Sequence, residues 1–552
     1  MKLNKTGKIF LSMGICGWIL LAVILIGGTQ VSAKDNSREN IYKKMELFNQ
    51  VLFNVQRNYV DTLSINELVE NAIDGMLDKL DPHTRLFDPD EYKKFNSSTK
   101  GEFGGLGISI NKIGDYITVV SPIEGTPAYK MGIMAGDKIA KVDGKSVVGM
   151  STDDAISLMR GEVGTEVVIS IKRPGVKDEL DFKIIRDTIV INSIPYAFMM
   201  ENGIGYIRIR QFNAKTTEEL RESLDELEEQ GMRGLLIDLR FNPGGLLSEA
   251  VNTVNEFIGK DKRVVFTKGK MEAANQEYFT RYNRQRSGYP IIVLINEASA
   301  SASEIFSGSL QDYDRALVVG KTSYGKGSVQ RLFPLSEGYG VKITTAKYYI
   351  NSGRCIHKDL NDRLLKDPRV RSGELSQEEI DEMREKADKE HLKDIHYTEK
   401  GRVVYGGGGI NPDLEIEQSK MTRLGIELRR KNLTFNYAVN YMIEHESEID
   451  NDFEVDQIII EDFLEFARED SVEWTETQLD STMSWIVNNL TSNIVSKKFG
   501  DKEGYKIAIR DDSQLQKAIN IFDLCPSLDD MFVYASEQKE LKDLTEKENL
   551  NN

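Results

Sequence analysis

The sequence predicts an α/β core that carries a small β-rich domain and is flanked by helical regions. Three patterns point to it. Between residues 195 and 350, apolar β-branched runs alternate with amphipathic stretches: 204–210 before 217–230, 234–239 before 247–258, and 291–295 before 301–313. Strands alternating with helices argue for an α/β sheet. Between 101 and 190, short β-rich runs at 107–110, 116–120, 138–142 and 165–171 are set off by glycine turns, with one helical segment at 152–159. Outside these regions the apolar residues recur at steps of three and four, the period of an amphipathic helix.

Length and composition bound the rest. At about 100–200 residues per domain, 552 residues suggest roughly three to five domains. With 40% hydrophobic and 29% charged residues the chain is globular, which excludes wholesale disorder and a polytopic membrane protein. The formal charge of −17 argues against general nucleic-acid binding, which needs clustered Lys and Arg. The 3 cysteines, Cys16, Cys355 and Cys525, exclude a disulfide framework, and two packed thiols in the folded part are the simple expectation. None has metal-ligand spacing, and the 5 histidines form no zinc motif. No metal or cofactor is expected.

The N-terminus carries Lys2, Lys5 and Lys8, an apolar run over 9–28, then Val31, Ser32 and Ala33. This is the order of an export signal. A run of about 20 residues also suffices to span a bilayer. Residues 1–33 therefore read as a signal peptide cleaved after Ala33 or as a retained signal anchor. Either way, everything after residue 34 is expected outside the cytoplasm.

Helical pattern resumes in 34–100. Ile41, Met45, Phe48, Leu52 and Val55 share one face, and a second helix over 65–80 is expected from Ser64 followed by Glu67, ending at Asp81–Pro82. Residues 358–401 read as a charged helical insertion, with its helix at 374–389. Residues 402–419 close the core, and 420–552 form a C-terminal helical domain with Trp474 and Trp485 as core anchors and a frayed tail. Those last helices are free to dimerise, to dock an adaptor or to cover the core.

Three segments carry chemistry. In IIVLINEASASASE, residues 291–304, a β-branched strand runs into tiny residues at the start of a helix. A serine there has an exposed hydroxyl beside helix N-terminal N–H groups that can hold an oxyanion, or it is simply a helix cap. In KTSYGKGSVQ, residues 321–330, Lys326 lies between Gly325 and Gly327 without a phosphate-loop pattern. Such a lysine is a surface residue, or a general base if burial lowers its pKa and a hydroxyl lies within reach. In LLIDLRFNPGG, residues 235–245, a buried strand ends in a turn that can present N–H groups to a ligand or merely connect strand to helix.

Together the SASASE serine stretch, the GKG lysine stretch and the preceding NPGG turn, in the same order, resemble the carboxyl-terminal processing peptidases, or tail-specific proteases. LDPHTRLFDPDEY at 80–92 and GEFGGLGISI from 101 resemble the family's entry into a PDZ domain. The resemblance spans about 40–357 and 402–417, and the insertion and the C-terminal helices depart from it. It implies a ClpP/crotonase-like peptidase core at 191–357 with an inserted PDZ domain at 101–190. It also implies a nucleophile at Ser301, a base at Lys326 and a lysine-orienting glutamine at Gln330. Oxyanion donors would come from the Ala302 N–H and from Gly244 or Gly245.

The implied activity is a serine endopeptidase with a Ser–Lys dyad. Its partners would be protein or peptide substrates with apolar C-terminal tails, and the membrane if the N-terminal segment is uncleaved. An adaptor or activator and self-association stay open. The glycine-rich loop Gly104, Gly105, Leu106, Gly107, Ile108 would hold the substrate's terminal carboxylate while the adjoining strand edge adds the peptide; a structural turn is the plain alternative. Arg160 and Arg173 are candidates for coupling that domain to the active site. The place implied is the bacterial cell envelope, on the periplasmic side of the inner membrane. Two other readings stand beside this one. A non-catalytic PDZ-bearing scaffold is opposed by the intact Ser301, Lys326 and Gln330. A Ser–His–Glu peptidase lacks a convincing histidine.

Overall fold

The computed structural model describes residues 40–286, 288–359, 364, 368–450 and 452–551. The apolar run over 9–28 and the cleavage point after Ala33 lie outside them, as does part of the charged insertion. Among the described residues no helix is long and apolar enough to cross a membrane.

The chain divides into two units, 1–86 and 87–552. In the described part of the first, a helix covers 40–58 and another spans Ile65–Leu77. Ser64 occupies the N-cap but makes no side-chain cap bond. The helix stops at Leu77 rather than at residue 80, and the Asp81 carboxylate then turns the chain by accepting from the His83 and Thr84 N–H groups and the Thr84 hydroxyl.

The second unit begins with the helix Pro89–Lys100, capped by Asp88. It leads into the β-rich domain, whose ends are pinned together by antiparallel pairing of Glu102–Gly105 with Asp187–Val190. Between them Ile108–Ile113, Tyr116–Pro122, Lys138–Val142, Glu166–Lys172 and Leu180–Ile185 form an antiparallel sheet. Alternation puts Ile117, Val119, Ile139, Val167, Ile169 and Ile171 into one core, closed by Ala155 and Met159 of the helix Thr152–Met159.

The α/β core is a six-stranded sheet in the order Tyr196–Met199, Ile204–Arg208, Gly234–Asp238, Ile291–Ile295, Leu317–Gly320, Leu414–Glu415. The first pair is antiparallel and the others are parallel. Gly234–Asp238 and Ile291–Ile295 are buried at every position, so both faces must be covered. Helices Thr216–Glu229, Leu247–Val254 and Ala302–Asp312 cover one face through Leu220, Leu224, Val254 and Phe306. The other face is covered by the C-terminal helices Ser513–Leu524 and Leu528–Asn551. Leu515, Ala518, Ile519 and Phe522 pack there against Tyr206, Leu236, Ile292 and Leu317. Of the three roles open to these helices, the last part of the chain completes the core.

An antiparallel sheet built on Arg263–Gly269, Ser328–Pro334 and Gly340–Ile350 stands beside this core. The insertion holds the helix Gln377–His391, capped by Ser376, and a short hairpin of Ile395–Tyr397 with Val403–Tyr405. The helices Arg423–Arg430, Leu433–His445, Gln457–Glu469 and Glu476–Phe499 surround their own core, with Trp474 and Trp485 packed against it. Cys355 and Cys525 are free thiols.

Candidate active site

The site is assembled where parallel strands end. Ile291–Ile295 leads through Asn296 to the three serines of SASASE. Ser299 and Ser303 are fully buried. The Ser299 hydroxyl donates to the Leu239 carbonyl at 2.8 Å, and the Ser303 hydroxyl to the Asn242 carbonyl at 3.0 Å. Ser301 alone is partly exposed. It caps the helix Ala302–Asp312 with φ 56° and ψ −112°, a conformation disfavoured for any residue with a Cβ.

The turn after Gly234–Asp238 lies directly on Ser301. A Cβ at Gly244 would stand 2.7 Å from Ser301 Cβ and 2.8 Å from the Ala302 nitrogen, and Gly244 itself has φ 97°. Asn242 holds this turn from within the core. Its Nδ2 donates to the Ile209 carbonyl, its carbonyl accepts from Ala300 N–H, and its Oδ1 accepts from Gly244 N–H at 2.9 Å. The Gly244 N–H is thereby taken, whereas the N–H groups of Gly245 and Ala302 have no partner among the described residues.

Glu304 ties the serine segment to the lysine loop. Fully buried, its carboxylate accepts from Ser301 N–H at 2.7 Å, Lys326 N–H at 3.0 Å, Gly325 N–H at 2.6 Å and the Ser323 hydroxyl at 2.5 Å. Burial pushes this carboxyl above its ordinary value, and the four donors pull against that shift. On the other side, the buried Tyr348 hydroxyl lies 3.1 Å from the Ser301 carbonyl oxygen and 2.5 Å from that of Lys326. Lys326 itself is partly buried and stands just before the strand Ser328–Pro334. The Gln330 Nε2 bonds Ser328 Oγ at 2.9 Å and Thr344 Oγ1 at 3.3 Å.

Beneath the glycine turn lies an ionic cluster. Asp238 accepts from Arg240 and Arg208 and from the Tyr206 hydroxyl. Burial alone would raise its carboxyl, but the two guanidinium groups outweigh it and hold the carboxyl at about 2. Arg240 continues to Asp512 and Gln514 in the C-terminal helices.

In the β-rich domain, the Leu106 and Gly107 carbonyls accept from Ala128 and Ile123 N–H, while their own N–H groups take no partner among the described residues. Gly107 has φ 78° and packs on Thr126, so a side chain has no room there. Gly104 and Gly105 belong to the pinning strand and Ile108 opens the next one. Arg173 is held inside the domain by Asp137 at 2.8 Å, and Arg160 stacks on Phe103 with 3.9 Å to the ring centre. Among the described residues no cluster of His, Cys, Asp or Glu could hold a metal ion.

Reasoning from sequence placed Asn242 in the turn without its part in holding it, and missed Glu304, Tyr348 and Asp238. Only Glu304 left a signal, since Ser301 and Glu304 have the spacing of a capping box. Tyr348 acts through contacts distant in sequence, and Asn242 and Asp238 join contacts two residues away to others 30 or more residues off.

Two family models fall on the α/β core and the β-rich domain. Residues 203–363 match peptidase family S41, residues 118–173 match the PDZ domain, and residues 426–500 match a family of unknown function, DUF8443. The carboxy-terminal-processing protease of Bartonella bacilliformis is 40% identical over 346 residues, 62% of this chain and 79% of that protein. The carboxy-terminal processing protease CtpA of Bacillus subtilis is 36% identical over 316 residues, 57% of this chain and 67% of that protein. Among solved structures, the photosystem II D1 C-terminal processing protease is 30% identical and covers 56% of this chain and 90% of its own, with a TM-score of 0.33.

This chain is a serine-type peptidase with a PDZ domain. It belongs to the carboxy-terminal processing proteases of peptidase family S41.

Proposed function

We propose that this peptidase works outside the cytoplasm, takes substrates by their C-terminal tails and cleaves them with Ser301 as nucleophile and Lys326 as base. The observation that carries the chemistry is the selection among the three serines. Ser299 and Ser303 are buried with their hydroxyls bonded to the core, and Ser301 is presented at a strained helix N-terminus beside the glycine turn.

Neutral Lys326 takes the Ser301 hydroxyl proton as Oγ attacks the scissile carbonyl carbon. The resulting oxyanion is met by N–H groups that the fold leaves unpaired, those of Ala302 and Gly245, which favours Gly245 over Gly244 as the second donor. Collapse expels the amine, which takes the proton back from Lys326. Water then attacks the acyl-enzyme, giving its proton to Lys326; as the acyl–Oγ bond breaks, Lys326 returns that proton to Ser301 Oγ, which frees the acid and restores both residues. Gln330, four residues beyond the lysine and on the adjoining strand, serves to orient the amine. The rate falls toward acid pH as Lys326 becomes charged.

The Leu106 and Gly107 N–H groups suit a terminal carboxylate, and the free edge beside Ile108 suits an added strand. The three lysines and the apolar run at the N-terminus support export to the periplasmic side of the inner membrane, anchored or released.

The test follows cleavage of a loosely folded protein ending in apolar residues by the parent, Ser301→Ala and Lys326→Ala. Turnover in the parent and in neither variant supports the dyad. Turnover surviving Lys326→Ala requires another base.

A further inference from the structure

Tyr348 has no part in the chemistry just described, yet it is fully enclosed and its hydroxyl meets both halves of the dyad. It sits on the strand Gly340–Ile350. Its N–H donates to the Gly327 carbonyl at 2.9 Å, which anchors it to the residue after the lysine. From there the ring crosses to the nucleophile. The hydroxyl lies 2.5 Å from the Lys326 carbonyl oxygen and 3.1 Å from that of Ser301. The Ser301 carbonyl also accepts from Ile305 N–H, so the phenol joins the lysine loop to the first turn of the serine's helix.

We propose that Tyr348 is a positioning residue that, opposite Glu304, sets the separation of Ser301 and Lys326. The proposal rests on the Ser–Lys reading. Glu304 gathers the N–H groups of both residues, and the single Tyr348 phenol proton is shared between their carbonyl groups, 2.5 Å to Lys326 and 3.1 Å to Ser301. Each residue is thus contacted on both sides of its Cα, by the carboxylate at its N–H and by the phenol at its carbonyl. A buried hydroxyl is retained at such a place only when its bonds are made. Burial also pushes the phenol well above its ordinary value, so it stays a donor across the working range. Proton transfer depends steeply on this geometry, since a misplacement of about 1 Å can reduce the rate on the order of 100-fold.

The experiment uses the full chain with Tyr348→Phe, which removes one oxygen and keeps the ring. Tyr349→Phe is the neighbouring control, because that ring stacks on Phe266 instead. Ser301→Ala and Lys326→Ala run beside them. Steady-state kcat and KM on a quenched peptide are normalised to the folded fraction, measured by circular dichroism at the assay temperature. The expected result for Tyr348→Phe is a kcat lower by about 10- to 100-fold with KM unchanged, while Tyr349→Phe matches the parent. A normalised kcat equal to the parent's would overturn the proposal, and so would a loss wholly accounted for by unfolding. Turnover surviving Lys326→Ala would remove the dyad, and the role of Tyr348 with it. Loss in both dyad variants with full activity in Tyr348→Phe would leave the dyad standing and sink the Tyr348 role alone.

Discussion

The backbone N–H groups of Ser301 and Lys326 meet on one atom, Glu304 Oε2, at 2.7 Å and 3.0 Å. Two segments from different strand ends are thereby held at a fixed spacing by a carboxylate inside the core. Glu304→Gln replaces one acceptor oxygen with an amide that repels those donors. Turnover should fall by roughly 100-fold and stability by about 1–3 kcal/mol. Kinetics on a short peptide and urea unfolding measure the two effects separately.

The glycine turn allows no side chain beside the serine. Gly244→Ala would place a methyl 2.6 Å from the Ala300 carbonyl oxygen and 2.7 Å from Ser301 Cβ. Peptidase activity should be lost while the fold survives. Gly245→Ala would press 2.0 Å from the Phe212 carbonyl oxygen at φ 148°. It should destabilise by about 1–3 kcal/mol, which thermal unfolding would detect as a lowered Tm.

Asp238 is the centre of the cluster under that turn. Asp238→Asn leaves Arg208 without its buried counter-charge and Arg240 with Asp512 alone, and should cost about 3–5 kcal/mol. Since the folded carboxyl is held at about 2, its contribution is present above the unfolded value and is lost as pH falls toward 2. Unfolding followed from pH 7 to pH 3 should therefore show a steeper acid loss in the parent than in the variant.

Lys497 lies 3.7 Å from the centre of the Phe435 ring, and burial pushes its ammonium down to about 7. Between about pH 7 and 10 the unfolded chain then binds more protons than the folded one, so stability rises with pH in that window. Lys497→Met removes this slope. Denaturant titrations at pH 7 and pH 9 compare the two chains, and equal slopes would refute the shift.

Local pattern made much of this protein legible. The alternation over 195–350 marked the parallel strands because a strand buried on both faces needs a continuous apolar run, as Ile291–Ile295 has. Free thiols at Cys355 and Cys525 followed from composition. Boundaries were less legible. The helix from Leu247 ends at Val254 rather than at 258, because its end depends on packing that periodicity does not record.

By itself the sequence determined the order of strands and helices, the family and the candidates Ser301 and Lys326, since each rests on residues adjacent in the chain. Tertiary structure alone decided which hydroxyl is presented, which glycine N–H is left unpaired and what covers the second face of the sheet. Those outcomes depend on Asn242 meeting Ile209 and Ala300, on Glu304 and Tyr348 spanning two loops, and on Phe522 reaching a sheet that begins hundreds of residues earlier. Hydrogen bonds and burial join atoms by distance in space, and no spacing along the chain records that distance.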